Sequence, residues 1–250
     1  MAIVKTRGLV IKQSDFGEAN RIITIFTKEY GIITAAVYGA KSIRNKNSAP
    51  TQLMTYADFV LTSNNNSDVM SLKSAEVIES FYGIKEDIVK LSLCVYFADL
   101  SYSLLGKNVP DENVLSLFLN SVYALSNDIA KCEKVRAVFE LRIMAYSGYM
   151  PNLRSCCECG NIKEIGYFSV KRSGVVCKNC KKDDDIVIDA QIFHTLAYIL
   201  LSESKKMLSF EADDDTMKTI SKIAQEYIPV HNEKNFESLT YYKNMLSVLK

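Results

Sequence analysis

Four cysteines at paired spacing are the residues most able to do chemistry in this 250-residue chain: Cys156 and Cys159, then Cys177 and Cys180, with 17 residues between the pairs. Each knuckle lets two thiolates approach one ion from a single turn, and two knuckles complete a tetrahedron. The spacing therefore points to one Zn2+ held by four sulfurs. Gly160 suits the turn after the first knuckle, and Ile165 to Val170 with Gly174 to Val176 could form a hairpin that presents the second. Four thiolates saturate the ion, whereas a catalytic zinc keeps an open position, so the expected role is structural. A zinc-dependent hydrolase or deaminase would need that open position and a nearby Glu or His. Only Cys156 keeps the two-residue spacing with Cys159, which leaves Cys157 a bystander; Cys94 and Cys132 read as helix-packing residues. His194 and His231 are isolated and read as ordinary surface or packing residues.

The composition sets the context for that site. Seven cysteines, an odd number, fit reduced thiols or a metal better than a disulfide framework. Met1 to Arg7 turns polar too soon for a signal peptide, and the apolar run from Leu91 to Leu105 is broken by Ser92, Asp99 and Ser101. A soluble cytoplasmic protein with no membrane partner is expected. With 48% hydrophobic residues the chain can build real cores, and disorder is excluded as its main state.

The net charge of +1 conceals a division. Residues 1–50 carry Lys5, Arg7, Lys12, Arg21, Lys28, Lys41, Arg44 and Lys46 against Asp15, Glu18 and Glu29, a local net of +5. This region reads as short strands: Val4 to Ile11, Arg21 to Thr27, Ile32 to Tyr38, Tyr56 to Leu61 and Val69 to Val77, separated by Gly and Asn turns. Five such strands fit a small barrel, with an SH3-like barrel or half-sandwich nearly as good. The loop Gly39 to Lys46 is basic and suited to phosphate contacts that carry no sequence preference. Phe16, Tyr30 and Tyr38 could stack bases if exposed, whereas Phe26 reads as core.

Beyond about residue 84 the apolar period becomes helical. Helices are expected from near Ile88, after Pro110-Asp111-Glu112, over Ile129 to Ser147, and over Ala190 to Glu203, Thr216 to Tyr227 and Ser238 to Leu249, packed as a bundle. The fold class is α+β: a strand domain at 1–80, a helical domain at 81–152 and 188–250, and a zinc-binding insert at 153–187.

Several motifs occur in a telling order: Gly8-Leu9-Val10-Ile11, Phe16-Gly17-Glu18-Ala19-Asn20-Arg21-Ile22, Ile25 to Gly31, Gly39-Ala40-Lys41, Ser74-Ala75-Glu76, Phe139-Glu140-Leu141-Arg142 and Ser147 to Pro151, followed by the paired cysteines. Together they resemble the RecO family of DNA repair and recombination mediators across nearly the whole chain. The resemblance implies an N-terminal OB-fold, a helical domain with a zinc insert, and no catalysed bond chemistry. It implies binding of single- and double-stranded DNA, annealing of complementary strands, and cooperation with RecR in loading RecA onto DNA coated by the single-strand-binding protein SSB. Arg21 and Lys41 fall within family motifs and are the first choices for DNA contact; Arg44 and Lys46 follow from the loop, and Arg7 and Lys12 share the basic region. Where many members have Lys before Gly39, this chain has Tyr38, which could stack instead. Lys134, Arg136 and Arg142 are candidates for the carboxylates of the acidic SSB tail. An RNA-binding or scaffold protein on the same barrel is the alternative reading.

Overall fold

A computed structural model of the chain describes residues 2–42, 45–64 and 67–248. Two compact units emerge, one formed by residues 1–127 with 236–250 and the other by residues 128–235.

The first unit opens with a closed five-stranded barrel: β1 (Ala2–Phe16), β2 (Asn20–Thr27), β3 (Gly31–Val37), β4 (Tyr56–Asn64) and β5 (Ser67–Glu79), in spatial order β1-β2-β3-β5-β4. Neighbours are antiparallel except β3 and β5, which pair in parallel. Alternate residues point inward, as period-two side-chain geometry requires: Ile23 and Ile25, Ile33, Ala35 and Val37, and Ala57, Phe59 and Leu61 fill the interior. Phe26 is fully buried, as its sequence context predicts. β1 is longer than the expected Val4 to Ile11 because it serves two partners: Ala2 to Leu9 pair with β4, and Gly8 to Phe16 with β2. A register shift between Val10 and Lys12 lets the strand change course, keeping Val10 in the core and sending Lys12 outward.

Helices α1 (Tyr82–Lys85), α2 (Ile88–Leu105), α3 (Glu112–Ser126) and α7 (Glu237–Val248) complete this unit. Asp87 and Asp111 cap α2 and α3, each carboxylate accepting two backbone N–H groups. The second of these is the helix start expected at Pro110-Asp111-Glu112. α2 is long and apolar enough to cross a membrane, yet Leu93, Cys94, Tyr96, Phe97 and Leu100 are buried within the unit, the pattern of a core helix. Between α2 and α3 the chain is pinned to the barrel: the Asn108 N–H donates to the Ile32 carbonyl at 3.2 Å, and the Val109 backbone packs where a side chain on Gly31 (φ +65°) would stand. Gly31 is thus required twice, by its backbone angle and by this approach.

The second unit contains α4 (Cys132–Tyr146), α5 (Ala190–Leu201), α6 (Asp214–His231) and an antiparallel sheet of β6 (Ile165–Ser169), β7 (Gly174–Cys177) and β8 (Ile186–Val187), ordered β7-β6-β8. α4 begins three residues later than expected, and α6 extends beyond both ends of the expected Thr216 to Tyr227: the Asp213 carboxylate caps its start by accepting from the Thr216 N–H at 2.8 Å, and the Asn232 N–H closes its end on the Ile228 carbonyl at 2.8 Å. The division by contacts places α4, α5 and α6 with the cysteine insert and returns α7 to the barrel unit. The three-part division into 1–80, 81–152 with 188–250, and 153–187 follows sequence modules instead, and we retain it as a proposal.

At the end of α6, the His231 ring lies against Tyr149 and Tyr227, with centroids at 4.8 and 4.6 Å, and shares a 3.0 Å hydrogen bond with Ser173 in the β6–β7 turn. Burial holds its imidazole below the ordinary value of 6.5. A histidine kept neutral in the fold binds its proton more readily when unfolded, so its contribution is complete above pH 6.5 and lost as the pH falls below it. Melting curves between pH 7.5 and 5.5 should show a decline that is smaller in His231→Gln; equal declines would exclude the residue as a source.

Candidate metal centre and nucleic-acid interface

The hairpin of β6 and β7 delivers the second knuckle directly. Cys177 ends β7 opposite Ile165, and the Cys180 N–H returns to the Cys177 carbonyl at 3.1 Å. The first knuckle closes when the Gly160 N–H donates to the Cys156 carbonyl at 2.9 Å, with Gly160 at φ +73°. These two turns bring the Sγ atoms of Cys156, Cys159, Cys177 and Cys180 within 4.8 Å of one another. A tetrahedral ion with sulfurs at about 2.3 Å sets neighbouring sulfurs about 3.8 Å apart. Cys159 Sγ and Cys177 Sγ lie 3.7 Å apart, so the donor set and its spacing fit one tetrahedral metal ion. Cys157 lies outside the cluster, its N–H bonded to the Val175 carbonyl.

The cluster is electrostatically uneven. Burial alone would raise the Cys156 thiol, but backbone N–H groups of Cys177, Cys159 and Glu158, with the Cys159 side chain, outweigh it and bring the value down to about 6. Cys180 is pushed up to about 12, first by hydrogen bonds with Cys159 and Cys177 and then by burial. The four thiols titrate as one interacting group, so an ion bound by all four sulfurs would release protons from the cluster as a whole.

At the barrel's β1–β2 end, the turn at Gly17 and the loop after β3 lie together. The Gly39 N–H donates to Asn20 Oδ1 at 3.0 Å, the Lys41 N–H to the Ala19 carbonyl at 3.2 Å, and the Asn45 amide to the Tyr38 and Gly39 carbonyls. Asp15 stands between two cations, 3.0 Å from Lys41 Nζ and 4.0 Å from Arg21 Nε. Phe16 and Tyr38 are exposed on the same two segments, at 46% and 60%. Exposed Lys41 and largely buried Arg21 share one carboxylate, and exposed rings occur on the same two segments, a combination of groups suited to phosphates and unpaired bases.

Comparison with known proteins decides the family. The chain matches the profile for Recombination protein O N terminal over residues 1–81 and that for Recombination protein O C terminal over residues 85–240. It is 35% identical to the DNA repair protein RecO of Acetivibrio thermocellus over 98% of both chains. The chain belongs to the RecO family. Other RecO relatives include those of Caldicellulosiruptor saccharolyticus, 29% identical over 97% of this chain and 99% of the relative, and Clostridium acetobutylicum, 26% identical over 100% and 99%.

Of the residues expected to touch DNA, this RecO-family chain gathers Arg21 and Lys41 at one barrel end. Lys46 is exposed on the same loop, and Arg44 lies outside the described residues. Arg7 is elsewhere: it pairs with Asp58 at 2.8 Å, eight residues up β1 from Asp15, on the order of 25 Å along an extended strand. Lys12 projects from the outer wall between them.

The cations assigned to an acidic tail need correction. Arg136 is 6% exposed and pairs with fully buried Glu140 at 3.3 Å. Arg142, 3% exposed, donates to the carbonyls of Ile199 and Ser202 at the C-terminus of α5, and to Tyr146 and the Ser202 hydroxyl. Both guanidiniums are interior braces, because a buried charge must find its partners within the fold. Lys134 is half-buried, bonded to the Phe210 carbonyl at 2.6 Å and set 4.0 Å from its ring centroid.

Sequence reading missed Arg172. Its Nη1 donates to Glu158 at 2.9 Å and to the Cys180 carbonyl at 3.1 Å, its Nε to Ser169, and its Nη2 to Asp185, tying both knuckles to the hairpin. The position of an arginine directly before the Ser173-Gly174 turn was the available signal, and spacing alone does not reveal these partners. Arg172→Leu should weaken metal retention about 10- to 100-fold, as loss of outer supports around ligands does. Metal content after dialysis against a graded chelator reads this directly, and retention equal to the unaltered chain would exclude the brace; Cys177→Ser should lose the metal outright.

Proposed function

We propose that the chain is a non-enzymatic mediator of DNA repair and homologous recombination. It binds single- and double-stranded DNA through its barrel, anneals complementary strands and, with RecR, helps load RecA onto SSB-coated DNA. Family membership over nearly the whole chain supports this reading, and the observation that carries it to particular residues is the meeting of Arg21 and Lys41 at Asp15 on segments that also expose Phe16 and Tyr38. The closed strand order, with β1 between β2 and β4, suits the OB-fold, a partly open five-stranded Greek-key barrel. The ion in the cysteine cluster is proposed to be structural Zn2+, since four thiolates leave no open coordination position.

Annealing requires two polyanions to approach. Lys41, Arg21 and Lys46 lower that repulsion by replacing condensed counterions, and contacts to phosphates leave the pairing edges of bases free. Phe16 and Tyr38 offer faces to unpaired bases without selecting a sequence. Asp15 keeps both nearby cations positioned and partly neutralised, so phosphates compete with an internal carboxylate. RecR, RecA and the acidic SSB tail are proposed partners by family membership, and Lys134 is the remaining candidate of its trio for the tail. Action in the cytoplasm, where the DNA is, follows from the same reading.

Charge reversal at Lys41 and Lys46 should slow annealing of complementary oligonucleotides roughly tenfold and flatten the salt dependence of single-strand binding by about 0.7 in slope per lost phosphate contact. Asp15→Asn should do the opposite and tighten binding roughly threefold by releasing two cations. Unchanged annealing in the reversal variant would sink the assigned surface. Equal affinity for DNA and RNA of one length, at one salt concentration, would favour the RNA-binding alternative.

A further inference from the structure

Beside this surface, a groove of about 470 Å³ runs along the outer wall of the barrel, bounded on its far side by α2. Three strands supply a row across its floor: Lys12 on β1 is opposite Thr24 on β2, which is opposite Thr34 on β3. Their inward neighbours Ile23, Ile25, Ile33 and Ala35 are core residues, so all three members of the row face outward. Ser14 lies two residues along β1 on the same wall. Opposite them, α2 presents Val95, Ala98, Asp99 and Tyr102, spaced as one helical face. Lys107 completes the rim, held in place because the next residue's N–H is bonded to the Ile32 carbonyl.

The polar groups of this groove are unspent. Among the described residues, neither Lys12 nor Lys107 has an ion-pair partner, and the hydroxyls of Ser14, Thr24 and Thr34 have no hydrogen bond. Two ammonium groups and three hydroxyls thus converge on one space with a single carboxylate, Asp99, leaving a net charge of +1. That balance matches the one negative charge of a phosphodiester. Ile22, Val95 and the partly exposed Tyr102 ring add an apolar wall against which a sugar or base can rest. The volume is within the range of small-ligand pockets, about 300–1,000 Å³, and a duplex with two backbones and paired bases does not fit between helix and barrel.

We propose that this groove is a single-strand-selective subsite that takes one nucleotide of a DNA strand, its phosphodiester between Lys12 and Lys107 and its sugar and base along α2. The proposal rests on the DNA-binding reading above and adds where single strands are told from duplexes: the open surface at Lys41 accepts both, and the walled groove accepts only the former.

Fluorescence anisotropy with a labelled 20-nucleotide single strand and with its duplex tests this at one fixed salt concentration. The double variant Lys12→Ala, Lys107→Ala should weaken single-strand binding roughly fivefold and leave duplex binding within about twofold, with the single-strand salt slope reduced by about 0.7 for the lost phosphate contact. Thr24→Val with Thr34→Val keeps the β-branched shape of the strands and should weaken single-strand binding in the same selective way, so the test does not depend on one variant folding. Single-strand affinity unchanged in both variants, or single-strand and duplex affinities falling together, would overturn the proposal. In the first case Lys41→Glu still weakening both DNAs would leave the broader reading standing; no DNA binding by the unaltered chain would overturn both. Thymidine monophosphate should fail to displace the strand at equal nucleotide concentration, and equal displacement would show a free-nucleotide site and overturn the strand assignment.

Discussion

The double engagement of β1 is the constraint on which the barrel unit depends. A strand that pairs with β4 over one half and with β2 over the other closes the sheet, and closure removes the edges that would otherwise invite pairing with other chains. Closure requires the strand to bend, and the shift between Val10 and Lys12 is where it does so. The same shift decides what the outer wall carries. It keeps Val10 among the core residues while Lys12 comes into line with Thr24 and Thr34, so one irregularity both shapes the interior and assembles an exterior polar row.

In the second unit the comparable constraint is the approach of four sulfurs. A small insert with short strands β6, β7 and β8 cannot bury much apolar surface, and Val176 with Cys156 and Cys177 forms only a small core. The Arg172 network supplies part of what burial does not, and the four sulfurs are spaced to hold an ion that would supply more. Burial opposes the Arg172 charge, but bonds to Asp185 and Glu158 outweigh it and raise the group above its ordinary value. The partners gain in return: Arg172 helps hold the Glu158 carboxyl below its usual range. The guanidinium thus ties the same two turns that carry the four sulfurs, acting through carboxylates and a carbonyl.

What the sequence made legible follows the distance over which each interaction acts. Cysteine knuckles, the Asp111 cap and the Gly160 turn are local, and each was readable from spacing. The strands were legible as elements, whereas the length of β1 was not: Ala2 and Ile3 extend it by pairing with β4 about sixty residues away, and Lys12 to Phe16 extend it by pairing with β2 beyond the register shift. Arg136 and Arg142 lie on a helix where charges normally face water. Arg136 pairs with Glu140 one turn along the same helix, a spacing visible in the sequence although the burial of the pair is not, whereas Arg142 is held by the carbonyls of Ile199 and Ser202 nearly sixty residues away, partners that leave no periodic trace. The groove was illegible for the same reason: Lys12, Thr24, Thr34 and Lys107 become neighbours only through register and through the bond from Asn108 to Ile32.

The arrangement of charge bears on how such a protein would let go of DNA. Half of the described cations on the barrel are already engaged: Arg7 with Asp58, Lys28 with Glu112, and Arg21 and Lys41 with Asp15. A phosphate arriving at any of them exchanges one anion for another and gains only the difference, which for exposed pairs is small, typically under about 1 kcal/mol. Affinity must then come from many modest contacts, each easily reversed and each sensitive to salt. A mediator that must bring strands together and then surrender them to pairing or to another protein gains from that arrangement. Lys12 and Lys107 differ from these four in having no ion-pair partner among the described residues, and they line one groove, so a strand seated there would not have to displace an internal partner first.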